Sequence, residues 1–71
     1  MSNEAAKEDI YEMLTKKAKY ALKSRSRGLV HETYGAAVMA RRLEAITNDE
    51  MWVLNAMLVK NGLNNPGAKL E

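Results

Sequence analysis

The chain has 71 residues, 46% of them apolar and 28% charged, with no cysteine, one histidine and a formal net charge of +2. That length allows one domain at most, with a core covering only about 60% of the surface the unfolded chain exposes. The lack of cysteine excludes disulfides and thiolate metal sites, so oligomerisation is the stabilising device left to so small a fold. The longest apolar stretch is far below the ~20 residues of a membrane span. The opening Met-Ser-Asn-Glu has neither the basic nor the apolar region of a secretory signal. A cytoplasmic protein with no membrane partner is expected.

The first helix is expected over residues 3–24. Ser2 or Asn3 can cap it, and Ile10, Met13, Leu14, Ala18, Ala21 and Leu22 recur at helical spacing as one stripe. Residues 1–15 carry Glu4, Glu8, Asp9 and Glu12 against Lys7, a net −3. Residues 16–27 carry Lys16, Lys17, Lys19, Lys23, Arg25 and Arg27 with no acid, a net +6. Acids first and bases last suit the helix dipole. Gly28, which tolerates positive φ, is expected to end this helix or open the turn, with residues 24–28 as a flexible connection.

The second helix is expected over residues 31–46, with Ala36, Met39, Ala40, Leu43 and Ile46 as its apolar stripe. Gly35, Ala36, Ala37 and Ala40 are small enough for a neighbouring helix to approach closely. Gly35 costs roughly 1 kcal/mol of helix stability relative to alanine, which points to tight packing there, or to a bend.

The third helix, expected over residues 48–61, has the clearest boundaries. Thr47-Asn48-Asp49-Glu50 is a capping box, and Ile46 and Met51 are spaced as a hydrophobic staple. Asn61-Gly62-Leu63 reads as a glycine stop, with Leu63 placed to touch Leu58. Asn64-Asn65-Pro66-Gly67 reads as a turn, and residues 64–71 as a flexible tail. Leu70-Glu71 matches a tag remnant and is set aside. The expected fold is therefore all-α: a single small three-helix domain, with helices two and three joined by a tight capped turn as an angled corner or antiparallel hairpin.

Between Met51 and Val59 only Asn55 interrupts the apolar residues. On a helix Met51, Leu54 and Leu58 fall on one side, while Trp52, Ala56 and Val59 fall nearly opposite, and both sides need cover. One solution sandwiches this helix between the other two. The preferred one is completion by a second polypeptide, with a symmetric homodimer favoured over a different protein partner. Its interface residues would be Trp52, Ala56 and Val59, joined by Met57 and Leu63.

No constellation points to catalysis or to a cofactor or metal. Nucleophilic chemistry needs a nucleophile, a base and an orienting group together, and the only histidine, His31, sits beside Glu32 near a helix start. Glu8, Asp9 and Glu12, like Asp49 and Glu50, lie at helix starts, where dipole and capping account for them. No phosphate-binding loop, dinucleotide fingerprint or HExxH motif occurs. The expectation is a non-catalytic self-association or protein-interaction module. The alternative is a nucleic-acid-binding accessory protein. It would contact phosphates through Lys16, Lys19, Lys23 and Arg27 on one helical face, extended by Arg41 and Arg42. Reading base edges is not expected, because the helix after the tight turn is nearly all apolar.

Overall fold

The computed structural model describes the backbone from Asn3 onward and side chains from Ile10 onward. The readings on Ser2 and on the side chains of Asn3, Glu4, Lys7, Glu8 and Asp9 lie outside the described residues. The fold is all-helical: α1 (Asn3–Lys23), α2 (Arg27–Arg42) and α3 (Asn48–Asn55), which runs on as a π-helical segment (Ala56–Leu63) before a single 3-10 turn (Pro66–Ala68).

α1 and α2 form a hairpin. Its turn is tighter than a flexible connection and does not use Gly28. Arg25 takes the left-handed conformation at φ 55°, and Ser26 N–H donates to the Ala21 carbonyl at 3.1 Å, closing α1 in a Schellman-like bond. Ser26 then caps α2, its hydroxyl accepting from Leu29 N–H at 3.2 Å. Gly28 therefore lies in the first turn of α2, and no glycine has positive φ.

α2 starts and stops about four residues earlier than the sequence suggests. It ends at Arg42 because Glu44, at φ 58°, turns the chain and lets Ala45 N–H reach the Ala40 carbonyl at 2.8 Å. The buried face of α2 is also not the expected stripe. Val30, Thr33, Ala37 and Ala40 face inward, whereas Ala36, Met39 and Leu43 face outward, Leu43 being 73% exposed. Of the expected stripe, only Ala40 and Ile46 are buried. Buried Thr33 is tolerated because its hydroxyl donates to the Leu29 carbonyl at 2.7 Å, within its own helix. Close approach occurs at Ala37 and Ala40, which join Ala18 and Ala21 of α1 in the core. Gly35 is exposed, and a Cβ added there would meet nothing within 4 Å, so the helix does not use it for packing.

α3 begins as the sequence indicates. Thr47 Oγ1 accepts from Glu50 N–H at 3.1 Å, and Glu50 Oε1 accepts from Thr47 N–H at 2.8 Å. Ile46 is buried and Met51 packs against the core, as a staple requires. α3 and the π segment rest on both α1 and α2, through Met51, Leu54 and Leu58.

The π winding departs from the expected α-helix over residues 56–61. At about 4.4 residues per turn it gathers Met57, Leu58, Gly62 and Leu63 within about 130° of arc, against about 240° on an α-helix. All four are drawn to the core side. Gly62 does not stop the helix. It is buried, and an added Cβ would stand 3.0 Å from Leu22 Cδ2 and 3.3 Å from the Met57 carbonyl, so it marks a close approach to α1. The segment ends at Asn64, whose N–H donates to the Val59 carbonyl at 2.8 Å.

Beyond the turn at Pro66, the chain folds back instead of trailing as a tail. Glu71 N–H donates to the Arg25 carbonyl at 2.8 Å, Arg27 N–H donates to the Glu71 carbonyl at 3.2 Å, and Leu70 packs on the core.

Candidate functional site

With Met51, Leu54 and Leu58 turned inward, the opposite side of α3 is left open. Trp52 is 72% exposed and Val53 46%. The sandwich arrangement is therefore not adopted: α1 and α2 cover one side of α3 only. Trp52, Val53, Asn55, Ala56 and Lys60 line an open depression of about 420 Å³. On its other flank Trp52 borders a second of about 430 Å³ with Tyr34, Asn48, Asp49, Met51 and Asn55. The surface thus reads Asp49, Trp52, Val53, Asn55, Ala56, Lys60 along the helix, with an acid at the amino end, a base at the carboxyl end and mostly apolar groups between.

Two of the five expected interface residues, Trp52 and Ala56, share this surface. Val59 is half-buried and lies outside the lining of either depression. Met57 and Leu63 pack against the core, turned there by the π winding. Val53 and Lys60 belong to the surface and were not singled out in sequence, although Asp49, Val53, Ala56 and Lys60 follow one another at the three- and four-residue spacing that marks a helical face.

Lys16, Lys19 and Lys23 keep three- and four-residue spacing along α1, whereas Arg41 and Arg42 close α2. Lys16, Lys19, Lys23 and Arg27 are exposed, and Lys16 lies 3.7 Å from Glu12 one turn away, an exposed pair of little energetic weight. Arg27 turns its guanidinium toward the Leu70 carbonyl at 3.4 Å. Arg41 is half-buried and donates to the Asn48 side chain at the far end of α2. At 1.5 Å per residue, Arg27 and Arg41 stand about 20 Å apart along the helix. Arg42 shares that far end, so neither extends a patch centred on Lys19 and Lys23. In the groove between α1 and α2, Glu32 interposes a negative charge beside Lys16, Lys17 and Tyr20.

His31 is exposed. Among the described residues no three histidine or carboxylate side chains come together, and no buried side-chain nitrogen or oxygen lacks a partner.

No protein-family model, curated protein or solved structure matches the chain.

Proposed function

We propose that this chain is a non-catalytic helical module that acts by self-association, with Trp52, Val53 and Ala56 at the centre of contact. The observation that carries the reading is the exposure of the single tryptophan beside Val53 on the most apolar helix. A tryptophan offers roughly 150–250 Å², so at 72% exposure an uncovered indole forgoes roughly 3–4 kcal/mol at about 25 cal/mol per Å². That is a large share of the stability open to a small domain, typically ~5–15 kcal/mol. Covering the indole with a second chain recovers it. Exposed aromatic anchors with polar neighbours are also the composition found at the centre of protein interfaces.

The test is sedimentation over a concentration series, for the wild type and for Trp52→Glu. The wild type is expected to reach a species of two or more chains. Because Trp52 supports little of the core in one copy, the variant should stay folded by circular dichroism and sediment as a monomer. A loss of about 2 kcal/mol or more per copy is usual for such an anchor, which weakens a symmetric pair about a thousandfold. Leu43→Lys, on the outer face of α2, should leave the assembly unchanged. An assembly indifferent to Trp52→Glu but broken by Leu43→Lys would move the contact to α2 and overturn the reading.

A further inference from the structure

The order of charges along the open side of α3 points to one arrangement of the associated chains. Asp49 flanks Trp52 toward the amino end, Lys60 shares the depression with Trp52, Val53 and Ala56 toward the carboxyl end, and both are exposed. The ion pair found among the described residues, Lys16–Glu12, involves neither of them. We infer that two copies pack α3 and its π continuation against each other antiparallel, about a two-fold axis. Asp49 of each chain then faces the partner's Lys60. The inference rests on the self-association reading above and names its occupant as a second copy of the same chain.

Symmetry and charge select this orientation together. A two-fold contact uses the same patch on both chains, so each residue pairing occurs twice. Parallel packing would set Asp49 against Asp49 and Lys60 against Lys60, two repulsive pairings. Antiparallel packing converts both into attractive ones and opposes the two helix dipoles. The midpoint between positions 49 and 60 falls between Leu54 and Asn55, which places Val53 against the partner's Ala56. That small side chain lets the helices approach, and the indole of Trp52 then lies along the partner's π segment, where the methylene stem of Lys60 can cover it. At 72% exposure two indoles contribute roughly 200–350 Å² of the ~1,000 Å² a specific interface needs. The dimer is accordingly a modest one that forms with rising concentration.

Orientation is read by cross-linking. The native chain has no cysteine, so Asp49→Cys and Lys60→Cys each introduce a single thiol. An equimolar mixture of the two variants is treated with a bismaleimide spanning about 8–10 Å, the separation of packed helix axes. The expected product is the mixed adduct, which joins position 49 of one chain to position 60 of the other. It should form in at least tenfold excess over either like pair, and be lost when both chains also carry Trp52→Glu. In parallel packing, or packing through another face, the like pairs dominate or the products are statistical, and either result overturns the arrangement.

A charge series supplies a second reading. Asp49→Lys and Lys60→Glu should each weaken association tenfold or more at low salt, where exposed charges are least screened. The double variant should return to within about threefold of the wild type, since each swapped charge again meets its opposite. Circular dichroism confirms that each variant is folded. If Trp52→Glu disperses the assembly but the swaps show no such pattern, this orientation falls while self-association through Trp52 stands. If Trp52→Glu has no effect, both fall.

Discussion

Two of the helical glycines, Gly35 and Gly62, give different forecasts for the same substitution. Gly35 lies on the exposed side of α2, where a Cβ would meet nothing within 4 Å. Gly35→Ala should therefore gain the full helix-propensity difference, about 0.8–1.0 kcal/mol. For a domain this small that raises Tm by roughly 4–8 °C. In urea the midpoint should rise by roughly 0.3–1 M with an unchanged slope. Gly62→Ala draws on the same propensity term but must fit its methyl 3.0 Å from Leu22 Cδ2 and 3.3 Å from the Met57 carbonyl. Overpacking of that kind costs about 1–3 kcal/mol, leaving a net effect between neutral and a loss of about 2 kcal/mol. Thermal and urea melts followed by circular dichroism, at concentrations where the chain is monomeric, measure both. Equal gains at the two sites would refute the close approach at Gly62. When the Gly35→Ala melt is repeated at rising concentration, a loss that grows with it would mean that a second chain packs on the outer face of α2, against the assignment of the contact to α3.

The helix joints offer two more checks. Thr47→Ala removes the hydroxyl that accepts from Glu50 N–H, while the Glu50 carboxylate keeps the Thr47 N–H, so the melt should show a loss of about 1 kcal/mol, which Thr47→Ser should largely restore. An unchanged melt would show that tertiary packing alone fixes the start of α3. Glu44→Gly replaces a residue held at φ 58° by the one that adopts it without strain. Left-handed geometry costs other residues about 1–2 kcal/mol, and glycine gives part of that back as unfolded-state entropy, so a net gain of about 0.5–1 kcal/mol is expected. A destabilised variant would mean that the Glu44 side chain makes a contact worth more than the strain it carries.

How legible each element was in sequence follows the kind of signal it carries. The start of α3 could be read because a capping box is local chemistry: a hydroxyl and a carboxylate three residues apart suffice. The end of α1 fell within one residue of its expected place, but the residue that makes the turn there, Arg25, could not be read, and neither could the end of α2 at Glu44: both are left-handed, while the rule that expects glycine pointed to Gly28. The face of α2 was misread for a different reason. Met39 and Leu43 are more hydrophobic than Thr33, Ala37 and Ala40, yet the smaller set is buried, because narrow helix–helix contact selects volume over hydrophobicity. The π segment left a trace in Leu58 and Leu63, five apart, a spacing that fits neither an α-helical stripe nor a strand.

The openness of the Trp52 side follows from how these pieces are used up. Small residues on both α1 and α2, Ala18, Ala21, Ala37 and Ala40, bring the two helices close, so the hairpin they make is narrow and offers α3 a single groove. That groove takes Leu54, Leu58 and Gly62, with Met57 and Leu63 drawn in by the π winding. The segment after the π winding could have folded over the indole, but it is held by Arg25 and Arg27 at the α1–α2 turn. Trp52 instead lies beside Tyr34 and Asn48, near the α2–α3 joint. Among the described residues, then, each element that might shield the indole is already engaged elsewhere. The same placement leaves Asp49 and Lys60 on either side of it, and a patch with an acid at one end, a base at the other and mostly apolar groups between is self-complementary only when its copy is turned end for end.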